Sequence, residues 1–411
     1  MRARLVDRLA ELGRGAGEPV VIVDRPDVTV VRSGGTVLKA HAPRLDPAAL
    51  AARLRVAAHP LLAGILLTPL GGLTGPVEGR HVSRWPYGAA VAPDAPEAAP
   101  WWEAGHLTAR LHAIPAGRLP GPLPPMSGPA NAARAIAALR TTLTARAPAP
   151  VPAPRATADA APAPYGGAPA VPAPVPAPAP ALAPDPALAP DPALAPDPAL
   201  ALDPALAPDP ALAPDPALAP DPAPAPDLAP AGPGPAQERT SAAALVLRAW
   251  ERLPPWARDE EPRGQPRSLL CHGDLHLGQL VRHPAPDGPW HLIDVDDLGL
   301  GEPAWDLARP AAGYATGLLP APDWAAFLAG YRAAGGPAVA PGDDLWPPEV
   351  DLPARTLTVQ LAARGLVDAA TGVRPLDDTD HDLLAACARI AAMGEGTGDG
   401  TDGGTGPGGA S

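Results

Sequence analysis

We predict an α+β fold from three features of this 411-residue sequence. Short runs rich in valine, isoleucine and threonine alternate with turn residues near the N-terminus, as they do in antiparallel sheets. From about Pro96 onward, apolar residues recur at helical spacing. A proline-rich block then divides this helical region. The expected molecule is a small antiparallel sheet with one helix, followed by a mainly helical part.

The sheet is expected to have five strands and to lie within residues 1–88. An Arg-Pro-Asp turn and a Ser-Gly-Gly turn separate the first three runs, and such short connections favour a meander. Asp46 and Pro47 then open the helix, because Asp caps helix N-termini and Pro fits the first turn. The predicted strands are residues 20–24, 28–32, 36–41, 64–70 and 78–85.

The helical part is expected to comprise residues 89–146 and 239–393, on either side of the proline-rich block. Residues 268–281 and 290–300 interrupt it as strand–loop–strand segments, because each contains a short apolar run next to polar residues. The predicted helices cover residues 101–112, 130–146, 240–252, 323–334, 352–371 and 379–393.

Residues 147–238 form the low-complexity block, in which aspartate recurs every six residues within an ALAPDP repeat. Proline lacks a backbone donor and disfavours helix at the residue before it, so polyproline II structure or disorder is expected. Because loop-closure entropy grows slowly with length, such a block is tolerated as an insertion between two helices. The Gly/Thr/Asp-rich tail, residues 394–411, is also expected to be disordered.

The formal charge of −13 is local and argues against two classes of partner. Residues 156–238 carry −10 and the tail carries −3, so the rest of the chain is neutral overall. A nucleic-acid binder would show a basic patch, and a protein clamped to a membrane surface would show a polybasic segment. No apolar run reaches the ~20 residues of a membrane span, and the N-terminus lacks the apolar segment of a signal peptide. We therefore expect a cytoplasmic protein that binds neither nucleic acid nor membrane.

The densest polar chemistry lies in residues 271–280 and 292–300. Asp274 and Gln279 follow one apolar strand and Asp294 follows the next, so we expect them at a shared rim with one base and two oxygen ligands. Such a set suits Mg²⁺, and phosphoryl transfer also requires a cation for the phosphates. The sequence has one lysine, Lys39, against 30 arginines. Two explanations of this count are equally good: chance, and a site that requires a compact ammonium group. They stay equal until the position of the lysine is considered.

These motifs resemble those of the aminoglycoside phosphotransferase and choline kinase-like family. His272-Gly273-Asp274 through Gln279, followed by Ile293-Asp294, is similar to its pattern H-G-D-x-x-x-x-N and I-D. Residues 301–308 (GEPAWDLA) resemble its G-D-P-x-x-D-L-A, and residues 109–112 (ARLH) resemble its L-A-x-L-H helix end. The resemblance covers the chain outside the repeat block and the tail. It implies a protein-kinase-like fold: a small antiparallel β N-lobe, a mainly helical C-lobe, and an active site in the cleft between them.

The resemblance also implies a role for each matched residue. Asp274 corresponds to the catalytic aspartate that orients or deprotonates the acceptor hydroxyl. Asp294 corresponds to the metal-binding aspartate, and Gln279 replaces the usual asparagine ligand with a side chain one methylene longer, as in maltose kinases. Lys39 corresponds to the lysine that holds the α- and β-phosphates of ATP, and residues 85–90 correspond to the hinge that meets the adenine edge. The implied activity is Mg²⁺-dependent transfer of the γ-phosphoryl group of ATP to a hydroxyl of a small molecule.

Neighbouring polar residues are expected to have structural roles. Asp306 should tie the catalytic loop together by hydrogen bonds, and His272 should shape that loop rather than act as a base. Asp296 and Asp297 are expected to be solvated turn residues, with metal or substrate contact as the alternative. His276 is expected at the surface, with substrate contact as the alternative.

Two departures from the family pattern leave alternatives open. The kinase lysine normally pairs with a glutamate on the following helix, but residues 44–60 contain none and Asp46 lies too early. The loop at residues 32–36 also lacks a G-x-G-x-x-G sequence. A catalytically silent kinase-like regulatory protein that binds a nucleotide or metabolite is therefore the alternative, and phosphorylation of protein is a third reading. The acceptor (an antibiotic, sugar, amino alcohol or nucleoside) and the oligomeric state stay open.

Overall fold

The computed structural model describes residues 2–13, 18–25, 27–92, 95–146, 235–262 and 268–393. Within them, an antiparallel five-stranded sheet precedes a mainly helical part, which confirms the predicted α+β architecture of two lobes. The repeat block and the tail, for which disorder is predicted, lie outside the described residues, except that a helix already begins at Pro235. No helix in the described ranges combines the length and the apolar character that a membrane crossing requires.

The N-lobe sheet has the strand order β1-β2-β3-β5-β4. Its central strand β3 places Lys39 between Val30 of β2 and Ser83 of β5, in antiparallel register with both. The strand register therefore fixes the position of Lys39 along β3, relative to both neighbouring strands. The strands are β1 (Val20–Asp24), β2 (Thr29–Ser33), β3 (Thr36–Ala40), β4 (Thr74–Val77) and β5 (Arg80–Pro86).

The strand predicted at residues 64–70 is wrong, because β4 is the later segment Thr74–Val77. The earlier run joins the C-lobe instead: Leu67 N–H donates to Leu292 O at 2.9 Å and Leu292 N–H donates to Ile65 O at 2.8 Å. Ile65, Leu66 and Leu67 of this run are buried in the main core, so the apolar pattern reflects contact with the C-lobe. Pattern alone could not tell which lobe buries it.

The N-lobe contains two helices rather than the one predicted. Helix α1 (Arg2–Gly13) packs Leu5 and Leu9 against Val31 and Leu38 on one face of the sheet. Helix α2 (Pro47–Ala57) begins as predicted, with the carboxylate of Asp46 accepting from the N–H groups of the first turn at 3.0 and 3.2 Å. The i, i+4 pair of leucines in α1 is the amphipathic signal that marks this helix.

The C-lobe contains seven described helices and five short strands. All six predicted helices form, one with the predicted ends (α3) and five with shifted ends, whereas α6 was not predicted. Strand β7 carries the chain into the loop at residues 272–276, and β9, which pairs with β8, leads to Asp294. The helices are α3 (Trp101–His112), α4 (Gly128–Arg146), α5 (Pro235–Glu251), α6 (Ala308–Thr316), α7 (Ala321–Ala333), α8 (Pro348–Thr371) and α9 (Asp378–Ala392). The strands are β6 (Ala89–Ala90), β7 (Leu269–Cys271), β8 (Leu280–Arg282), β9 (Trp290–Leu292) and β10 (Gly299–Gly301).

Two glycines let helices α3 and α7 approach closely. A Cβ atom on Gly105 would overlap Phe327 O, and one on Gly330 would overlap Trp102 O. The two helices therefore meet backbone to backbone beside the main core, which spans both lobes. A second core, formed by α4, α5, α8 and α9, completes the C-lobe.

Candidate active site

A cleft with a volume of about 830 Å³ lies between the N-lobe sheet and the C-lobe loops. All four residues that the sequence singled out, Lys39, Asp274, Gln279 and Asp294, line this one cleft. They come from β3, from the loop after β7 and from the segment after β9, so positions up to 255 residues apart in sequence meet there.

Lys39 forms two ion pairs with C-lobe carboxylates. Its Nζ lies 2.6 Å from Asp294 Oδ1 and 2.9 Å from Asp296 Oδ2. Burial alone lowers the pKa of Lys39, but the charges and hydrogen bonds of these two carboxylates raise it above its ordinary value. Lys39 is therefore a fixed ammonium ion, as a phosphate-binding lysine must be.

Asp296 is not the solvated turn residue that was expected. Nδ1 of the buried His41 contacts both of its oxygens, at 3.1 Å and 2.9 Å, and Lys39 contacts one of them. Burial alone raises the pKa of Asp296, but His41 and Lys39 hold it well below its ordinary value. This carboxylate is therefore ionised and held from both sides.

Asp274 lies at the end of the loop that follows β7. Its Oδ1 accepts from Arg309 Nη2 at 2.6 Å, and its Oδ2 lies 4.0 Å from Nε2 of His276. Gly273 has φ +87, and a Cβ there would overlap the carbonyl oxygen of Asp297. Only glycine avoids both penalties, so the motif residue before Asp274 is required by the backbone.

Asp306 ties this loop together, as expected from the sequence. Its buried carboxylate accepts from the backbone N–H groups of His272 at 2.6 Å and Gly273 at 2.7 Å, and it contacts Nε2 of His112 at 2.9 Å. Burial alone raises the pKa of Asp306, but the hydrogen bond and the charge of His112 bring it below its ordinary value. His272 in turn places Nε2 2.7 Å from Ile293 O, which joins the loop to the segment carrying Asp294.

Asp294 adopts a left-handed backbone conformation, with φ 61. Non-glycine residues rarely adopt this conformation, although Asp tolerates it better than most, and it concentrates at functional sites. The turn is closed locally, because Asp296 N–H donates to Asp294 Oδ1 at 3.3 Å. Asp294 and Gln279 supply oxygen donors to the same cleft, and oxygen donors in small number fit Mg²⁺.

Gln279 is constrained by His276, which is buried rather than at the surface. Gly278 N–H donates to Nδ1 of His276 at 3.1 Å, so a neutral ring carries its proton on Nε2. The Gln279 atom that faces this N–H is the amide nitrogen Nε2, 3.1 Å from Nε2 of His276. Two donors meet in this orientation, so the His276 proton needs another acceptor. Oδ2 of Asp274 lies 4.0 Å from the same ring nitrogen, so the orientation of Gln279 is linked to Asp274 through His276.

Asp297, which was expected to be a solvated turn residue with metal or substrate contact as the alternative, lines the cleft, as does Arg53, which the sequence did not single out. The pKa of Asp297 is raised by burial and by the charge of Asp274, although a hydrogen bond from Ser127 opposes this. Arg53 of α2 is buried, its Nε donates to Leu298 O at 2.8 Å, and it attracts Asp297 electrostatically. A helix that carries a glutamate in the family pattern thus presents an arginine here.

The hinge predicted at residues 85–90 is already partly hydrogen-bonded. Tyr87 N–H donates to Gly35 O at 2.8 Å, and Tyr87 O lies 2.9 Å from Nδ1 of His283. The guanidinium of Arg32 covers the Tyr87 ring, 3.5 Å from its centroid. These contacts anchor the β2–β3 loop to the hinge, so a purine edge would have to meet other hinge residues.

Comparison with known proteins gives one family match and several structural similarities. A family model described as the phosphotransferase enzyme family matches residues 122–348. No curated protein sequence matches the chain significantly. A choline/ethanolamine kinase family protein from Mesorhizobium loti is 16% identical, with 96% of this chain and 94% of that chain covered and a TM-score of 0.46.

Two further structures are similar at the same level. An ethanolamine kinase from Plasmodium vivax is 11% identical, with 92% of this chain and 82% of that chain covered and a TM-score of 0.42. Wild-type aminoglycoside 2'-phosphotransferase-IIIa in its GDP complex is 12% identical, with 95% and 97% covered and a TM-score of 0.41. The family assignment rests on the family match, which spans more than half of the sequence and includes the motifs at residues 272–279, 293–294 and 301–308. The chain belongs to the phosphotransferase enzyme family.

Proposed function

We propose that this protein is an ATP-dependent O-phosphotransferase that moves the γ-phosphoryl group of ATP to a hydroxyl of a small molecule. The observation that carries the proposal is the meeting of Lys39, Asp274, Gln279 and Asp294 in one cleft. Phosphoryl transfer requires positioning and charge stabilisation more than covalent chemistry. A cation for phosphate, a carboxylate for the hydroxyl proton and oxygen ligands for the metal meet that requirement.

In this proposal Asp274 orients the acceptor hydroxyl and accepts its proton. The ion pair with Arg309 orients the Asp274 carboxylate, because Oδ1 accepts from Arg309 Nη2 at 2.6 Å. Lys39 contacts the phosphates of ATP. Asp294 and Gln279 would hold Mg²⁺, which neutralises the charge that develops on the transferred group.

We also propose that the acceptor is uncharged or anionic rather than a polycation. Each carboxylate deep in the cleft already faces a cation: Lys39 faces Asp294 and Asp296, Arg309 faces Asp274, and Arg53 faces Asp297. The nearby helices α4 and α8 add two arginines to the cleft wall, Arg134 and Arg364. A polycationic ligand would be repelled by these groups, whereas a sugar or a carboxylated hydroxy compound would not.

An acceptor screen tests the proposed function. ADP release from ATP is measured with Mg²⁺ and a panel of sugars, hydroxy acids, amino alcohols, nucleosides and an aminoglycoside. We expect an uncharged or anionic compound to stimulate ADP release. We expect Asp274→Asn to abolish the stimulation, whereas Asp287→Asn, at an exposed turn residue, should leave it unchanged. Stimulation that survives Asp274→Asn would contradict the assigned role, and ATP binding without stimulation by any compound would favour the silent kinase-like protein.

A further inference from the structure

We propose that Asp296 is the acid that positions Lys39 in the nucleotide-loaded cleft, and that Asp294 is thereby left to the metal. This inference rests on the proposed function. Two carboxylates contact one ammonium, at 2.6 Å for Asp294 and 2.9 Å for Asp296. A carboxylate that coordinates a metal shares its negative charge with that cation and attracts Lys39 less strongly, so we infer that the two acids have separate roles.

Helix α2 cannot supply the positioning acid. It contains no Asp or Glu between Pro47 and Ala57, and Asp46 is occupied by capping the helix. The buried charge that α2 directs to the site is Arg53, which is held by Leu298 O at 2.8 Å. Arg53 attracts Asp296 as well as Asp297, so the helix supports the acid electrostatically instead of providing it.

Asp296 is held from behind by a buried chain of hydrogen bonds in the N-lobe. In the neutral ring with its proton on Nδ1, His41 donates to Asp296, and its Nε2 accepts from the Ser83 hydroxyl at 2.7 Å. Trp85 Nε1–H donates to the same hydroxyl oxygen at 2.8 Å. Trp85 Nε1–H can only donate and the Asp296 carboxylate can only accept, so for the neutral His41 ring the direction of each bond is determined. The relay fixes the Asp296 carboxylate relative to the sheet that carries Lys39.

Asp294 has no comparable support from the sheet among the contacts described. Its Oδ1 contacts Lys39 and the backbone N–H of Asp296, and its backbone is held in the left-handed conformation. Its side chain is also more exposed than that of Asp296, at 31% against 20%. Of the two acids, Asp294 is therefore the one that can turn toward a metal while Asp296 keeps Lys39 in place.

ATP affinity distinguishes the two roles. We expect Asp296→Asn to weaken ATP binding in excess Mg²⁺ about tenfold, or about 1.4 kcal/mol, with no change in the Mg²⁺ concentration that gives half-maximal binding. Asp294→Asn, which keeps the shape and tolerates the left-handed backbone, should shift that Mg²⁺ midpoint. An affinity within twofold of wild type for Asp296→Asn would overturn the proposal. A shift of the Mg²⁺ midpoint by Asp296→Asn would overturn it too, because Asp296 would then be a metal ligand.

The single lysine allows a direct spectroscopic readout. Lysine labelled with ¹⁵N at Nζ reports Lys39 alone, because the sequence contains no other lysine. In the complex with Mg²⁺ and ADP, Asp296→Asn should move this resonance, whereas Asp287→Asn should not. An unmoved resonance in Asp296→Asn would show that Lys39 has another partner.

Two variants at His41 cover the case in which Asp296→Asn does not fold. His41→Asn keeps a donor near the Nδ1 position, and His41→Leu removes it. We expect His41→Leu to weaken ATP binding at least threefold and His41→Asn to recover most of the lost affinity. Equal ATP affinities of the two variants would contradict the role of the hydrogen-bond chain from Trp85 to Asp296. If wild type binds no nucleotide, the proposed function fails as well, whereas normal binding by Asp296→Asn overturns the inference alone.

Discussion

Replacing Asp306 with alanine is expected to cost about 4 kcal/mol of folding stability. The side chain is fully buried, and its carboxylate accepts from two backbone N–H groups and contacts Nε2 of His112. Each buried donor left without a partner costs roughly 1–3 kcal/mol. The three donors (two backbone N–H groups and His112) therefore give a loss of at least about 3 kcal/mol in the free energy of unfolding. Breaking a buried charged network typically costs about 3–5 kcal/mol.

Urea denaturation followed by tryptophan fluorescence measures this loss, since the chain contains nine tryptophans. Asp306→Asn is the matched variant, because it keeps one acceptor oxygen and should lose less stability than Asp306→Ala. Asp287→Ala, at an exposed turn, should stay within about 0.5 kcal/mol of wild type. A loss below about 1 kcal/mol for Asp306→Ala would refute the claim that this carboxylate holds the catalytic loop.

The pH dependence of this effect has a defined sign. The folded state lowers the pKa of Asp306, so the unfolded state binds its proton more tightly. The stabilisation is therefore present above the unfolded pKa of about 3.9 and is lost as the pH falls below it. The stability difference between wild type and Asp306→Asn should shrink in the same range, and a difference that grows on acidification would contradict the reasoning.

Three further predictions concern packing and burial. Gly105→Ala should lower the free energy of unfolding by about 1–3 kcal/mol in urea denaturation, because the added methyl group overlaps Phe327 O. Gly117→Ala, whose methyl group meets open space, should be nearly neutral in the same measurement. Leu9→Ala should cost about 2–4 kcal/mol in denaturant titrations if α1 packs on the sheet, and a loss near zero would contradict that packing. Burial raises the pKa of Asp368 to about 7, so the folded state holds its proton more tightly and stability should fall between about pH 4 and pH 7. Asp368→Asn should remove that slope from the melting temperature, and an unchanged slope would count against it.

The candidate site residues were predictable because they lie in short sequence motifs. His272-Gly273-Asp274 and Ile293-Asp294 each follow an apolar strand, so local sequence indicates both their positions and their chemistry. The structure brings these carboxylates and Lys39 into one cleft. The role of Asp306 was also expected from the motif, and its carboxylate accepts from the backbone N–H groups of the loop.

What the sequence could not predict depends on contacts between distant segments. Asp296 looked like a turn residue because nothing near it in sequence reveals His41, which lies 255 residues away. The apolar run at residues 64–70 looked like a strand because its burial by the C-lobe is a tertiary effect. Helix α1 was not predicted, although its leucines lie at helical spacing. The N-terminal residues were compared only with a signal peptide.

Nucleotide binding to wild type and to Lys39→Ala, with and without Mg²⁺, tests the central claim most directly. Thermal melting in the absence of ligand first establishes that both proteins are folded. The account predicts that ATP with Mg²⁺ raises the melting temperature of wild type, that removing Mg²⁺ reduces this rise, and that Lys39→Ala weakens it. A wild-type protein whose melting temperature no nucleotide changes would contradict the ATP-dependent phosphotransferase.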